Sequence, residues 1–206
     1  MERVTCFGDS NTYGYDPRSF GGGRYPESVR WTSLLSNLSG RTVLNLGENG
    51  REIPVREPEL RQAEPLICQG GSAALLLIML GSNDLLQHPD SSAEWVAGRM
   101  EGFLQHLLSL PTPKNGRPSL LLLSPPPLAQ GAWVTQERTL RESTRLGFFY
   151  GTLAGKLRIW FLDTGPWRIP LAFDGVHFSP EGHRLFAQRL WGTLNHGPYD
   201  VPPAGM

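Results

Sequence analysis

The chain has 206 residues, of which 39% are hydrophobic and 18% are charged, and its formal net charge is zero. This length is sufficient for one domain with a well-buried core. The balanced charge does not predict the basic patch that binding to nucleic acid or anionic lipid requires. The longest apolar run, Ala73 to Leu80, is far too short to span a membrane.

These features predict one domain over residues 1–196 and a frayed tail, rich in proline and glycine, over residues 197–206. The first predicted strand begins at Arg3, which leaves no room for a signal peptide, so we expect a cytoplasmic location. Cys6 and Cys68 are predicted to be reduced thiols, and no spacing of cysteine and histidine is typical of a zinc site.

Apolar runs alternate with helical patterns along the chain. The predicted strands are Arg3–Phe7, Thr42–Leu46, Ala73–Leu80, Ser119–Leu123 and about Arg158–Leu162. The predicted helices are Ser28–Leu38, Pro54–Cys68, Ser91–Leu110, Gln136–Lys156 and Ser179–Leu194. Runs that are apolar at every residue suit strands buried on both faces. The alternation therefore predicts an α/β fold of about five strands, with a parallel sheet covered by helices on both faces.

Polar loops follow four of the predicted strands. Their sequences are Gly8-Asp9-Ser10-Asn11, Gly47-Glu48-Asn49-Gly50-Arg51, Gly81-Ser82-Asn83-Asp84 and, after a short connection, Asp174-Gly175-Val176-His177. Ligands of open parallel sheets bind beyond the carboxyl ends of the strands, so we expect these loops to share one edge of the sheet.

The four loops contain the groups that acyl transfer needs. A serine hydroxyl becomes nucleophilic when a base accepts its proton, and His177 is the predicted base for Ser10. Asp174 is close enough in sequence to orient the imidazole and to stabilise its protonated form. The oxyanion of the tetrahedral intermediate requires fixed donors. The candidates are the backbone N–H groups of Ser10 and Gly50 and the side-chain amide of Asn83.

Each loop alone also has an ordinary structural interpretation, as a capped turn or a helix start. The other histidines, His88, His106, His183 and His196, are predicted to lie in helices, at helix entries or in the tail. Asp9 and Asp84 are predicted to shape their turns. The sequence has no Gly-x-Ser-x-Gly elbow, Walker A loop or His-Glu-x-x-His pair. The combination of the four loops therefore predicts a serine esterase with a Ser-His-Asp triad.

The same residues give the sequence a family resemblance. It resembles the SGNH hydrolases, the GDSL lipase/acylhydrolase superfamily, whose four named residues match Ser10, Gly50, Asn83 and His177. Further runs, such as Cys6-Phe7-Gly8-Asp9-Ser10 and Asp174-Gly175-Val176-His177-Phe178, resemble the bacterial arylesterase branch, which includes acyltransferases. The resemblance implies a flavodoxin-like α/β/α sandwich with no metal or organic cofactor, and members of the branch often form homo-oligomers. Asn11 stands where many members carry leucine or isoleucine.

The aromatic residues Trp133 and Phe173 are predicted to line the substrate pocket. The sequence shows no long apolar lid and no amphipathic membrane segment, so we expect short-chain, acetyl or small aryl esters or acetylated sugars as substrates. We expect no nucleic acid or membrane partner. Two alternatives stay open: a thioesterase, lysophospholipase or carbohydrate deacetylase with the same triad, or a non-catalytic ester or sugar binding module.

Overall fold

The strands of the structure form one parallel sheet. The computed structural model describes residues 3–19, 21–68, 73–88, 90–111 and 118–196. Its strands are β1 (Arg3–Gly8), β2 (Thr42–Gly47), β3 (Ala73–Met79), β4 (Ser119–Leu123) and β5 (Trp160–Leu162). All pairings are parallel and the order is β2-β1-β3-β4-β5, which is the flavodoxin-like order. The predicted α/β class is therefore confirmed, whereas the predicted tail after residue 196 lies outside the described residues.

Helices connect the strands. The described residues form α1 (Ser10–Tyr13), α2 (Trp31–Ser39), α3 (Glu57–Cys68), α4 (Ser82–Gln87), α5 (Ala93–Ser109), α6 (Glu137–Leu157) and α7 (Pro180–His196), with a short 3₁₀ turn at Gly165–Trp167. Within these described ranges, no helix combines the length and the apolar character that crossing a bilayer requires.

The sheet separates two hydrophobic cores. Alternate residues of β3 belong to different cores: Leu76 and Ile78 pack with α5 and α6, and Leu75 and Leu77 pack with α2 and α7. This arrangement explains why β3 is apolar at every residue. In β1, Cys6 lies in the second core as a free thiol, and burial raises its pKa above the ordinary value. The side chain of Cys68 lies outside the described part of the chain.

Several elements begin later than predicted, and each has a local cause. The predicted helix from Ser28 starts at Trp31 because Arg30 is extended, with ψ of 129°. The predicted strand from Arg158 starts at Trp160 because Arg158 ends α6 in the left-handed conformation, with φ of 54°. The predicted helix from Pro54 starts at Glu57. The Glu59 carboxylate accepts the N–H groups of Val55 and Arg56, which are the two residues before the helix.

Two short helices were not predicted, and both begin at the edge of the sheet where the polar loops meet. Helix α1 follows β1 after one residue, and α4 follows β3 with only Leu80 and Gly81 between them. Their first turns carry Ser10 and Asn83. The fold therefore places both side chains at helix starts next to the carboxyl ends of two neighbouring central strands.

Candidate active site

The turn between β1 and α1 holds Ser10. Asp9 is the N-cap of α1, and its Oδ1 accepts the backbone N–H of Asn11 at 2.9 Å. Burial raises the pKa of Asp9 to about 6, although the Asn11 N–H and the nearby His177 act in the opposite direction. Ser10 is itself buried. A capped helix start therefore fixes the backbone from which the Ser10 hydroxyl projects.

The structure brings Ser10, His177 and Asp174 together. His177 Nε2 lies 2.9 Å from Ser10 Oγ, and His177 Nδ1 lies 2.6 Å from Asp174 Oδ2. Burial alone would raise the pKa of Asp174. Hydrogen bonds from the His177 ring and from the backbone N–H groups of His177 and Val176 outweigh burial and hold this pKa below its ordinary value. The carboxylate is therefore ionised where it can orient the imidazole.

A neighbouring loop supports the turn that carries Asp174 and His177. The N–H of Ala129 donates to the Gly175 carbonyl at 2.9 Å, and the N–H of Trp133 donates to the Asp174 carbonyl at 3.1 Å. Gly175 has a φ of +80°, and a Cβ atom there would lie 2.1 Å from the Ala129 carbonyl oxygen. Only glycine therefore fits this turn, for both conformational and steric reasons.

Gly50 and Asn83 face the same pocket from two other elements. Gly50 lies in a turn after β2 with a φ of +74°. Asn83 Nδ2 donates to the carbonyl of Arg51 at 3.0 Å, so α4 is joined to the Gly50 turn. Because an asparagine amide carries two N–H groups, this bond leaves one of them for a ligand. Ser10, Gly50 and Asn83, which carry the predicted oxyanion donors, all line one pocket.

The buried carboxylate of Asp84 links α4 to the segment that follows the Gly50 turn. The Asp84 carboxylate accepts the N–H of Ile53 at 3.2 Å and Arg99 Nε at 2.7 Å. Burial raises the pKa of Asp84 more than the charge of Arg99 lowers it. The hydrogen bonds of the Asp84 carboxylate thus join α4 to the segment that follows Gly50 and to Arg99 of α5, and not to the Asn83 turn that Asp84 was predicted to shape.

The pocket at Ser10 has a volume of about 350 Å³ and an open mouth. Its lining consists of Ser10, Tyr15, Asn49, Gly50, Asn83, Leu86, Trp133, Val176 and His177. Trp133, which was predicted to line the substrate pocket, belongs to this lining. Phe173 lies outside this lining and is 62% exposed. Tyr15 was missed, although its place five residues after the predicted nucleophile is a sequence signal that could have found it.

Two aromatic rings of the pocket flank the imidazole. The ring centroids of Tyr15 and His177 are 4.5 Å apart, and those of Trp133 and His177 are 5.1 Å apart with nearly perpendicular planes. The wall of the pocket next to the imidazole is therefore aromatic.

The other described histidines do not approach Ser10. His183 lies in α7, as predicted, and its Nδ1 accepts the backbone N–H of Trp31 at 3.3 Å. His88 and His106 each contact a glutamate, Glu52 at 2.9 Å and Glu64 at 2.6 Å respectively. Among the residues that the structure describes, no three side chains of His, Cys, Asp or Glu form a group that could hold a metal ion.

Comparisons with known proteins agree with this geometry. The model of the GDSL-like lipase/acylhydrolase family matches residues 6–185. The structure of the M. smegmatis aryl esterase is 25% identical, with a TM-score of 0.84 over 94% of this chain and 98% of that chain. A carbohydrate acetylesterase family member from Sinorhizobium meliloti is 28% identical, with a TM-score of 0.81 over 94% and 97% of the two chains. No curated protein matches the chain at a significant level.

Proposed function

Because the chain belongs to the GDSL-like lipase/acylhydrolase family and is a carboxylic ester hydrolase, we propose that it cleaves short-chain esters with Ser10 as the nucleophile. The observation that carries this proposal is the chain of contacts from Ser10 Oγ to His177 Nε2 and from His177 Nδ1 to Asp174, at 2.9 and 2.6 Å.

In the proposed first half-reaction, His177 takes the proton of Ser10 while the hydroxyl oxygen attacks the ester carbonyl. Asp174 stays ionised and stabilises the imidazolium. The backbone N–H groups of Ser10 and Gly50 and the free amide N–H of Asn83 receive the oxyanion. His177 then protonates the leaving alcohol, and an acyl group remains on Ser10. In the second half-reaction, His177 activates a water molecule, which releases the acid and restores the hydroxyl.

The pocket favours a small acyl group and a ring-bearing alcohol. Its volume of about 350 Å³ is at the low end of the range for small-molecule sites. Tyr15 and Trp133 flank the base that serves the leaving group, and flat rings pack well against such aromatic faces. We therefore propose acetyl and other short-chain esters of aryl or sugar alcohols as substrates. An alcohol bound on this aromatic side would compete with water for the acyl group, which gives acyl transfer.

A series of nitrophenyl esters of increasing acyl length tests the proposal. We expect kcat/KM to be highest for acetyl or propionyl esters and to fall for long chains. Ser10→Ala is expected to abolish hydrolysis without changing the thermal melting curve. Ser19→Ala is a matched control, because the hydrogen bonds that the structure describes for the Ser19 hydroxyl join it to the local backbone of Asp16 and Gly23. A peak at long acyl chains would overturn the substrate class, and full activity of Ser10→Ala would overturn the mechanism.

A further inference from the structure

Asn11 follows the nucleophile directly, and its side chain reaches across to the histidine turn. Its Nδ2 donates to the carbonyl of Val176 at 3.1 Å, and its Oδ1 accepts the N–H of Phe178 at 2.8 Å. Asn11 is 5% exposed, so both bonds are shielded from water. One amide therefore pairs with the backbone on both sides of His177.

These two bonds join parts of the site that are otherwise separate. Asp174 and His177 share one turn, so their contact does not depend on Ser10. Ser10 belongs to α1, which starts from β1. Among the described residues, the hydrogen bonds that join residues 9–14 to residues 174–178 are those of Asn11 and the Ser10–His177 contact itself. Apart from the Ser10–His177 contact, the Asn11 amide is therefore the polar link between the two segments.

The backbone of Asn11 is held as well. Trp31 Nε1 donates to the Asn11 carbonyl at 3.0 Å, and the Asp9 carboxylate accepts the Asn11 N–H at 2.9 Å. With its backbone fixed on one side and its amide fixed on the other, Asn11 has the rigidity that a positioning group needs.

We propose that Asn11 is a positioning residue that holds His177 at hydrogen-bonding distance from Ser10. The inference rests on the proposed function, since it concerns the same serine and histidine. Loss of the amide would let the histidine turn shift as a unit away from α1. The Asp174–His177 contact would persist, whereas transfer of the serine proton would slow, because displacements of about 1 Å can reduce rates by about 100-fold.

The test compares Asn11→Leu, which has a similar branched shape and neither hydrogen bond, with the unchanged protein. We expect kcat for nitrophenyl acetate to fall about 10- to 100-fold while KM changes less than about twofold. The proton on His177 Nδ1 is expected to keep its downfield NMR signal. Asn11→Asp provides a second variant, and its kcat is measured in the pH range where kcat no longer changes with pH. It keeps the acceptor for Phe178 but turns the Val176 contact into a repulsion between oxygens, so kcat is expected to fall about 10-fold or more.

Asn45→Leu is the matched control. The Asn45 amide donates to the Thr12 carbonyl at 2.7 Å and to Thr32 Oγ1 at 2.8 Å, so it also holds α1 but does not touch the histidine turn. We expect it to lower the melting temperature and to keep kcat within about threefold.

The outcomes separate the two proposals. If the unchanged protein does not hydrolyse esters, the proposed function fails. If it does, and both Asn11 variants keep kcat within about threefold, the positioning role is overturned. The role is also overturned if Asn11→Leu loses the downfield signal, or if kcat falls equally in Asn45→Leu, because either result indicates a general structural effect.

Discussion

At the scale of the residue, Asn83 offers the most direct test of the oxyanion site. One of its amide N–H groups is held by the Arg51 carbonyl, and the other is free to meet a ligand. In the proposed mechanism, Asn83→Ala removes a donor that acts on the transition state more than on the bound ester. We expect kcat to fall by about 10²- to 10³-fold with little change in KM. Steady-state kinetics with nitrophenyl acetate measure both constants.

Gln87 is the control for Asn83, because it supports the same turn without reaching the pocket lining. Its Nε2 donates to the Gly50 carbonyl at 3.2 Å from the exposed end of α4. Gln87→Ala is expected to keep kcat within about threefold. Equal losses in the two variants would indicate that Asn83 acts by holding the Gly50 turn and not by donating to the substrate.

At the scale of the element, the long strands and helices were predictable because their hydrophobic patterns are strong. The apolar run of β3 and the helical period of α5 both match the structure within a few residues. Helices α1 and α4 were not predicted, because four and six residues are too few to show a helical period. The turn residues at Gly8–Ser10 and Gly81–Asn83 indicated a function, and a helix start was only their alternative interpretation, without bounds.

The turn of Asp174 and His177 depends on Gly175 in a way that can be tested. An alanine at this position would meet the Ala129 carbonyl at 2.1 Å and would be strained at a φ of +80°. We expect Gly175→Ala to lower the free energy of unfolding by about 2 kcal/mol or more. We also expect kcat to fall at least about 100-fold, because the turn carries two residues of the proposed triad. Urea unfolding and steady-state kinetics give the two values.

Gly40→Ala is the control for Gly175→Ala, because it introduces backbone strain without displacing the turn of Asp174 and His177. Gly40 ends α2 with a φ of +65°, and a Cβ atom there would meet nothing within 4 Å. Gly40→Ala is expected to lower the unfolding free energy by about 1 kcal/mol and to leave kcat unchanged. An unchanged kcat in Gly175→Ala would contradict the role assigned to the loop at Ala129. It would mean that the turn of Asp174 and His177 keeps its geometry when its contact with that loop changes.

At the scale of the whole molecule, the site is assembled from segments far apart in the chain. The carboxyl ends of parallel strands share one edge of the sheet, so the meeting of Ser10, Asn83 and His177 could be predicted from the sequence. The Asn11 contacts with residues 176 and 178 could not, because no local pattern encodes a pairing over such a separation. Of the aromatic rings beside His177, Trp133 was predicted to line the pocket and Tyr15 was not, because residues in loops show no hydrophobic periodicity.

The packing of α7 against α2 places His183 in an apolar environment. Its ring contacts those of Tyr25 and Phe178, and its Nδ1 accepts the N–H of Trp31. Burial, with smaller effects from the charges of His177 and Arg30, lowers the pKa of His183 from 6.5 to about 3. Between these two pH values the unfolded chain binds a proton at His183 that the folded protein does not bind.

The free energy of unfolding should therefore fall as the pH is lowered below 6.5, with a loss from His183 of about 1 kcal/mol at about pH 5.5 relative to about pH 8. Asp9 acts in the opposite direction between pH 3.8 and about 6, because its raised pKa lets the folded protein keep a proton that the unfolded chain releases. The contribution of Asp9 is the same in the variant His183→Asn, so the difference between the two proteins isolates the contribution of His183. Asparagine also keeps an acceptor for the Trp31 N–H. Urea unfolding at both pH values should show a smaller acid loss in the variant. An equal loss in both proteins would mean that His183 is protonated within the fold and that the helix contact tolerates its charge.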